Sequence, residues 1–294
     1  MRVYLGIDVG GTKIAAGLVN ELGQVEGYSK VPTLQDSDQS ALEQLQKVIA
    51  SFDHGRIAGV GIGIPGIADQ RKGTVWAPNI SGWDQLPLSS LLLERFPEVA
   101  FAVESDRNTA VLAELLYGAG RGRRDVIALI IGTGIGAGIV SGRHLVRGQS
   151  EIGGAVGWIP VTFRQEMHHF EEVAAGPAIE RLGSDLGLVG DLATISRRAR
   201  QGDVTAKGLL EEVGVVIGQA LSVLVSTFNP EVIVIEGGVS HIWDLLKDPA
   251  GQTMVEWSQP LSVKEVEVVA SQLGEVAGVL GAAAAVRGLN GGEL

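Results

Sequence analysis

The most constraining feature of this sequence is a glycine turn set between two apolar runs, and the pattern occurs twice. Near the start, residues 3–7 and 14–19 are mostly apolar and flank a turn that reads Asp-Val-Gly-Gly-Thr-Lys. Residues 126–131 and 139–140 flank a second turn that reads Gly-Thr-Gly-Ile-Gly-Ala-Gly. Each stretch predicts strand, tight turn and strand, and the repetition predicts two related halves in one chain.

The composition of the turns suits phosphate binding. Gly10 and Gly11 let the backbone approach a ligand closely, so that N–H groups and the Thr12 hydroxyl can face phosphate oxygens. Two facing turns can hold a polyphosphate from both sides. Asp8 lies at the mouth of the first turn, where a carboxylate beside phosphate makes chemical sense as a holder of Mg²⁺ or its water shell. For this stretch alone, an ordinary hairpin with a solvated Asp at its tip is the alternative.

Two other nucleotide-binding motifs do not fit the turns. Residues 6–13 approach the P-loop spacing, but the Lys and the Thr stand in reverse order and a strand-like run follows where a P-loop needs a helix. Residues 132–137 match the dinucleotide fingerprint, and Glu151 lies at a suitable distance for an acid that binds ribose. That reading also fails, because a hairpin pattern follows where a crossover helix is required.

Length and charge limit the class of protein. The 294 residues, 45% of them apolar, suffice for two domains and a large buried core. The net charge of -11 and the lack of Lys or Arg runs argue against nucleic acid or an anionic membrane as the main partner. The absence of cysteine removes disulfides, thiolate nucleophiles and cysteine metal sites. Neither a leader nor a membrane-spanning segment is evident, so we expect a cytoplasmic protein.

Strands alternate with helices along the chain, which predicts an α/β fold. Helices are predicted over residues 38–52, about 109–117, 206–228 and 277–287, and strands over residues 57–64, 101–103 and 232–235. The helix over 206–228 carries a continuous apolar stripe and is expected to lie in the core. The alanine-rich helix at the end is expected to pack back on the rest of the protein.

Several residues at strand ends or in loops are candidates for ligand binding. Asp106 lies at a strand-to-helix junction, where a carboxylate either caps the helix or acts as a general base in phosphoryl transfer. Asn79 shares a polar loop with Trp83, which suits a carbohydrate, although turn chemistry alone also explains an Asn there. Gly237 and Gly238 at a strand end can let an adenine ring lie against the backbone, or can simply start a helix.

The segment 151–178 is the least regular part of the chain, and it contains Trp158, His168 and His169. Adjacent histidines with no cysteine and no third ligand at a useful spacing are a weak indication of zinc. We therefore expect surface histidines and no zinc site.

Taken together, these motifs resemble the ROK family (repressors, open reading frames and sugar kinases) within the actin-like ATPase and hexokinase superfamily. The similarity extends over nearly the whole chain and rests on residues 8–13, 61–66, 78–83, 106–108, 132–138 and 232–239. It implies an α/β fold of two actin-like (ribonuclease H-like) domains with a cleft between them. The first domain is expected to span residues 1–117, with helix 277–294 packing back on it, and the second to span residues 118–276.

The resemblance implies an ATP- and Mg²⁺-dependent sugar kinase. Asp106 would be the base that takes a proton from a sugar hydroxyl, and Asp8 would hold the Mg²⁺ that accompanies ATP. The nucleotide would be bound by Asp8, Gly10, Gly11, Thr12, Lys13, Gly132, Thr133, Gly134, Gly237 and Gly238. The sugar would be bound by Asn79, Ser105, Asp106, Trp158 and Glu171.

The departures from the family pattern concentrate around the sugar. Ser105 stands where relatives usually carry Asn, and Ala155 and Trp158 stand where they usually carry a Glu and a His that touch the sugar. The cysteine-rich zinc loop of the family is missing, and residues 160–169 look like a shortened replacement. We therefore expect a different sugar, stacked on Trp158, or an acceptor that is not a simple hexopyranose.

Three alternatives to an ATP-dependent sugar kinase are considered. Repressors of the family carry a DNA-binding helix-turn-helix ahead of the first turn, whereas only seven residues precede Asp8. A catalytically silent nucleotide or sugar sensor is compatible with the altered sugar positions, and only an assay excludes it. Polyphosphate as the donor in place of ATP also stays open. Members of the family are commonly dimers, so the resemblance implies a homodimer. It also implies a small-molecule sugar as the binding partner.

Overall fold

The computed structural model of the protein describes residues 2–289, which divide into two compact units. The first unit comprises residues up to 122, residues 143–153 and residues from 272 onward, and the second comprises residues 123–142 and 154–271. These limits differ from the expected boundary at residues 117 and 118. In particular, residues 143–153 were expected in the second domain but lie in the first unit, where Arg147 of this segment forms an ion pair with Glu104.

The chain alternates strands and helices as predicted. In chain order the strands are β1 (Val3–Val9), β2 (Lys13–Asn20), β3 (Val25–Pro32), β4 (Val60–Ile64), β5 (Ile67–Asp69), β6 (Thr74–Trp76), β7 (Phe101–Ser105), β8 (Val126–Ile131), β9 (Ile135–Ser141), β10 (His144–Leu145), β11 (Pro160–Phe163), β12 (Glu166–His169), β13 (Val232–Glu236) and β14 (Glu267–Ala270). The helices are α1 (Ser40–Ala50), α2 (Leu88–Arg95), α3 (Asp106–Tyr117), α4 (Phe170–Ala174), α5 (Gly176–Asp185), α6 (Leu192–Arg200), α7 (Val204–Phe228), α8 (Trp243–Trp257), α9 (Ser262–Glu265) and α10 (Ala277–Leu289).

The first unit is built on a five-stranded sheet in the order β3-β2-β1-β4-β7. Strands β1, β2 and β3 are antiparallel neighbours, whereas β4 and β7 run parallel to β1. Parallel strands end at the same edge of a sheet, and the register places Asp8 opposite Gly63 and Gly63 opposite Glu104. The carboxyl ends of β1, β4 and β7 therefore bring Asp8 and the start of α3 to one edge.

Helix α10 packs directly on this sheet because two strand residues are glycines. A Cβ atom at Gly6 would lie 2.0 Å from the carbonyl oxygen of Val279, and one at Gly61 would lie 1.7 Å from that of Ala282. Only glycine leaves room for the helix backbone at these points. The predicted helix over 277–294 is seen as Ala277–Leu289, and its remaining residues, 290–294, lie outside the described part of the chain.

The second unit repeats the arrangement of the first. Its strands are hydrogen-bonded in the order β9-β8-β13-β14, with β8 and β9 antiparallel and β13 and β14 parallel to β8. This is the order and direction of β2-β1-β4-β7. The prediction of two related halves is confirmed, and the structure adds that each hairpin is followed by parallel strands.

Helix α7 is the core helix of the second unit. Among the helices of residues 2–289, it alone is long and apolar enough to cross a membrane, but 67% of its most apolar window is buried inside the protein. Gly214 and Gly218 bring it against α8, since a Cβ at Gly214 would lie 2.5 Å from the Pro249 side chain. Its apolar stripe therefore serves packing, as the sequence predicted.

Candidate functional site

The first glycine turn joins β1 to β2 and leaves two backbone donors available. The Gly10 N–H donates to the Lys13 carbonyl at 2.8 Å, while the Gly10 carbonyl accepts from the Thr33 hydroxyl at 2.6 Å. The Thr12 carbonyl accepts from the Thr33 N–H at 3.0 Å. Within residues 2–289, the N–H groups of Gly11 and Thr12 donate to no partner. Adjacent free N–H groups in a turn form a site for phosphate oxygens.

Asn79 lies against this turn. A Cβ atom at Gly11 would lie 2.9 Å from the carbonyl oxygen of Asn79 and 3.2 Å from its Cβ, so glycine is needed for the approach. Trp83 of the same loop is almost completely buried in the hydrophobic core. The interpretation that its ring offers a face to a carbohydrate is therefore wrong.

The carboxyl group of Asp8 is largely removed from water and lies beside the start of α10. A Cβ atom at Gly278 would lie 2.5 Å from Oδ2 of Asp8. Burial raises the pKa of Asp8, and the positive charge of Lys13 opposes the rise. No group of the described chain donates a hydrogen bond to the Asp8 carboxylate. A carboxylate that lacks donors and is partly removed from water fits a hard cation such as Mg²⁺.

Helix α3 begins at Asp106, three residues earlier than predicted, because Ser105 caps it. The buried Ser105 hydroxyl accepts the Asn108 N–H at 3.3 Å, and the Asp106 carboxylate accepts the Arg107 N–H at 2.8 Å. The helix cap considered for Asp106 is thus provided by Ser105. This helix cap is a structural role for Ser105 that requires no bound sugar.

The carboxyl group of Asp106 has a raised pKa. Desolvation by the surrounding protein raises the pKa of Asp106 to about 6, although the side chain still reaches solvent. The Arg107 N–H and charge oppose this rise, and the negative charge of Asp8 adds to it. A carboxylate with this pKa is ionised at neutral pH yet binds a proton more tightly than an ordinary Asp does. Those are the properties of a general base.

A buried polar network that the sequence did not predict surrounds this junction. Glu104 accepts a hydrogen bond from the Asn108 side chain at 2.8 Å and forms an ion pair with Arg147. The Nε atom of Arg147 lies 3.7 Å from Oε2 of Glu151. Burial raises the pKa of Glu151, and the charge of Arg147 opposes the rise. A Glu inside an otherwise apolar strand needs a polar or charged partner. The position of Glu104 in the sequence could therefore have predicted this network.

The second glycine turn, between β8 and β9, repeats the features of the first. The Gly132 N–H donates to the Gly134 carbonyl at 3.0 Å, and the Gly132 carbonyl accepts the Gly176 N–H at 2.8 Å. The N–H groups of Thr133 and Gly134 have no partner among the residues that the structure describes. Equivalent hairpins in the two units thus carry the same pair of available donors.

The end of β13 meets this second turn. Gly237 has a φ of +79°, and a Cβ atom there would lie 2.5 Å from the Ile131 carbonyl oxygen and 3.1 Å from the Gly132 nitrogen. Glycine is therefore required both by the backbone conformation and by the space. Gly238 begins a short 3-10 helix. The structure places the two predicted nucleotide motifs of this unit side by side.

Glu171 and Trp158 lie near the same turn. The Glu171 carboxylate accepts the Ile135 N–H at 2.6 Å, and a Cβ at Gly134 would lie 2.8 Å from its Oε2. Trp158 is 72% exposed, and its ring centroid is 4.8 Å from that of His169. The predicted binding residues therefore fall into two groups, one in each unit. Asp8, Asn79 and Asp106 lie in the first unit, and Thr133, Gly134, Trp158 and Glu171 lie in the second.

The segment 160–169 forms the hairpin β11–β12 at the place where the sequence predicted a shortened loop. Its His168 ring packs edge-on against Phe163 at 6.0 Å. Among residues 2–289, no group of three His, Cys, Asp or Glu could hold a metal ion. A cavity of about 490 Å³ opens beside Thr133, Glu171 and Arg181, and no sequence pattern indicated that Arg181 lines it.

Two sheets of equivalent topology, each with a glycine turn that offers free N–H groups, define a duplicated α/β protein suited to phosphate binding. The acid at the β7–α3 junction adds a group able to accept a proton. The sequence profile of the ROK family matches residues 4–288, and the chain belongs to the ROK family.

Curated relatives and solved structures agree with this assignment. The chain is 33% identical over 312 residues to a glucokinase of Thermotoga maritima, with 98% of each chain covered. The crystal structure of a ROK hexokinase from Thermus thermophilus is similar with a TM-score of 0.83 and 30% identity, covering 98% of this chain and 99% of that one. A ROK family glucokinase from Streptomyces griseus, in complex with glucose and AMPPNP, gives a TM-score of 0.76 and 33% identity, covering 96% and 98%.

Proposed function

We propose that the protein is an ATP-dependent sugar kinase that transfers the γ-phosphate of ATP to a sugar hydroxyl. The observation that carries the proposal is the position of the Asp106 carboxyl group, which follows β7 at the sheet edge that also carries Asp8. Its raised pKa, about 6, is consistent with a base. The relatives named above, a glucokinase and a hexokinase among them, support the same activity.

In this reaction the chain's own groups bind the donor and activate the acceptor. The N–H groups of Gly11 and Thr12, and those of Thr133 and Gly134, hold phosphate oxygens. Asp106 accepts the proton of the attacking hydroxyl, which makes the oxygen a better nucleophile. Asp8 would hold Mg²⁺ directly or through water, and the ion would neutralise charge on the phosphates.

A panel assay tests the proposal. Purified protein, ATP and Mg²⁺ are incubated with hexoses, amino sugars and sugar acids, and ADP release is coupled to NADH oxidation while the phosphorylated sugar is identified by mass spectrometry. We expect transfer to at least one sugar that depends on Asp106. Replacing ATP by polyphosphate identifies the donor, and transfer to no sugar from either donor would contradict the proposal.

A sensor that binds nucleotide or sugar without catalysis is the second candidate. Ala155 and Trp158 favour it, because they stand where the family pattern has a Glu and a His. Calorimetry separates the two functions. A sensor binds sugar and the ATP analogue AMPPNP but gives no phosphorylated sugar with ATP, whereas a kinase gives both binding and product.

A further inference from the structure

The first glycine turn is supported by residues 33–35, which follow β3 and are called the supporting segment below. The segment donates hydrogen bonds to three successive carbonyl groups of the turn. The Thr33 hydroxyl donates to the Gly10 carbonyl at 2.6 Å, and the Gln35 side-chain amide donates to the Gly11 carbonyl. The Thr33 N–H donates to the Thr12 carbonyl at 3.0 Å. The carbonyl side of the turn is therefore fully engaged by one short segment.

These bonds fix the direction of the two available donors. The described part of the chain contains no cis peptide bond, and in a trans peptide unit the C=O and the following N–H point in opposite directions. The Gly10 carbonyl shares a peptide unit with the Gly11 N–H, and the Gly11 carbonyl shares one with the Thr12 N–H. The side chains of Thr33 and Gln35 thus hold the same two peptide units whose N–H groups are available. Both N–H groups are directed away from the supporting segment.

The supporting segment is itself held by α1. The side-chain nitrogen of Gln44 donates to the Pro32 carbonyl at 2.8 Å, and its side-chain oxygen accepts the Leu34 N–H at 2.8 Å. The residues on both sides of Thr33 are therefore tied to the same glutamine. Because the segment is anchored in this way, it can hold the turn in one conformation.

The second glycine turn obtains its support from the backbone alone. Its Gly132 carbonyl shares a peptide unit with the available Thr133 N–H and accepts the Gly176 N–H at 2.8 Å. No side chain takes part in that bond. Substitutions of side chains can therefore remove the support of the first turn and leave that of the second unchanged.

We propose that Thr33 and Gln35 are positioning residues, which hold the Gly11 and Thr12 N–H groups in the orientation that receives a phosphate group. This inference rests on the proposed function and assigns a role in it to two residues outside the glycine turn. Without their bonds the two peptide units can rotate, and a phosphate group then has to order them as it binds, which weakens binding. With the bonds in place, the donors are ordered before the ligand arrives.

Nucleotide affinity tests the proposal. Thr33→Val keeps the shape and the backbone N–H but removes the hydroxyl, and Gln35→Met keeps the length of the side chain but removes its amide. Calorimetry with AMPPNP and Mg²⁺ measures the affinity without turnover. We expect each substitution to raise the Kd about twofold to tenfold, as the loss of one neutral hydrogen bond does. The double variant should raise the Kd further, and Thr33→Ser, which keeps a hydroxyl, should bind nearly as well as the wild type.

Two control variants remove similar side-chain bonds elsewhere in the first unit. Ser51→Ala deletes a hydroxyl that donates to the Val48 carbonyl at 2.7 Å, just after α1. Gln24→Met deletes a side-chain oxygen that accepts from the Asn20 amide at 2.7 Å, at the opposite end of β2 from the glycine turn. Both controls should bind AMPPNP like the wild type. If they weaken binding as much as the substitutions in the supporting segment do, the inference is overturned.

A double-mutant cycle distinguishes a role at the first turn from a general loss of structure. In the background of Thr33→Val and Gln35→Met, Thr12→Ala should raise the Kd by a smaller factor than it does in the wild type, because the Thr12 backbone is no longer held in place. Thr133→Ala, in the second unit, should raise the Kd by the same factor in both backgrounds. Equal factors for Thr12→Ala in both backgrounds would overturn the inference.

The two proposals fail in different ways. If no sugar is phosphorylated but the affinity for AMPPNP depends on Thr33 and Gln35, the kinase proposal fails and the positioning role stands. If a sugar is phosphorylated and the Thr33→Val, Gln35→Met variant binds AMPPNP like the wild type, only the positioning role fails. If the wild type neither phosphorylates a sugar nor binds AMPPNP, both proposals are overturned.

Discussion

Asp106 combines a helix-start position with a carboxyl group that has been partly removed from water, and this combination predicts the effect of its substitution. Asp106→Asn keeps the shape and the Arg107 contact but cannot accept a proton, so we expect turnover to fall about 10²-fold or more. The affinity for AMPPNP, measured by calorimetry, should stay nearly unchanged. Asp191→Asn is the control, because Asp191 also starts a helix but has no part in the site. Unchanged turnover in Asp106→Asn would remove Asp106 from the mechanism.

The pH dependence of turnover follows from the same carboxyl group. The base has to be ionised to accept a proton, and the pKa of Asp106 is raised from 3.8 to about 6. Turnover should therefore be constant above about pH 7 and fall with decreasing pH through about 6, approaching a tenfold loss per pH unit. The measurement is kcat from pH 5 to 9, with the coupling enzymes in excess at every pH. A kcat that stays constant down to pH 5 would show an ordinary carboxyl group instead.

Sequence reasoning located the residues whose chemistry is local. The glycine turns and Asp106 were predicted because turn formation and strand-to-helix junctions depend on a few neighbouring residues. It was wrong about Trp83, since burial depends on what packs around a loop and not on the loop itself. The use of Ser105 as the cap was missed for a similar reason, because the helix start depends on backbone geometry at the strand end.

The ion pair between Arg147 and Glu104 joins the segment 143–153 to β7 within the first unit. Glu104 is only 7% exposed, and its charge is balanced by Arg147. Arg147→Met leaves a buried carboxylate without its partner, so we expect a loss of about 3–5 kcal/mol in the free energy of unfolding, measured with urea. The double variant Glu104→Gln, Arg147→Met removes both charges and should recover most of that loss. A double variant no more stable than Arg147→Met would show that the charge is not the cause.

The packing of α10 on the first sheet predicts opposite results at two glycines. A Cβ at Gly61 would lie 1.7 Å from the Ala282 carbonyl oxygen, so Gly61→Ala should reduce stability by about 1–3 kcal/mol or more. Gly251 lies inside α8 with nothing within 4 Å, and Gly251→Ala should raise stability by about 0.5–1 kcal/mol. Thermal unfolding of both variants is the measurement. If Gly61→Ala changed the stability no more unfavourably than Gly251→Ala does, the close approach of α10 to β4 would be contradicted.

The elements that sequence reasoning placed wrongly are those fixed by distant contacts. The packing of the last helix on the first domain was expected from the family resemblance, but nothing near Gly61 in the sequence indicates that a helix more than 200 residues later needs the space at this glycine. Residues 143–153 follow the β8–β9 hairpin, so their assignment to the second domain was natural. The segment instead lies in the first unit, and one of its contacts there joins Arg147 to Glu104, about 40 residues earlier. Contacts at long sequence separation are the part of a fold that local patterns do not contain.

The duplication of the fold makes a prediction for the protein as a whole, because each unit supplies a turn with the same pair of available donors. Thr12 and Thr133 occupy these turns, and both side chains are exposed, so their truncation should not disturb either core. Each hydroxyl can donate to a charged phosphate oxygen, and the loss of such a bond costs about 1.5–3 kcal/mol. Thr12→Ala and Thr133→Ala should therefore each raise the KM for ATP about tenfold or more while changing the KM for sugar less.

The control for these variants is Thr205→Ala, an exposed threonine in the first turn of α7, which should leave both KM values unchanged. The informative result is the comparison between the two units. If the turns are functional equivalents, as their topology indicates, the two variants should weaken ATP binding to a similar extent, and AMPPNP with Mg²⁺ should raise the Tm of each less than that of the wild type. If only one of the two variants bound ATP more weakly, the two units would share the fold but only one of the turns would bind phosphate.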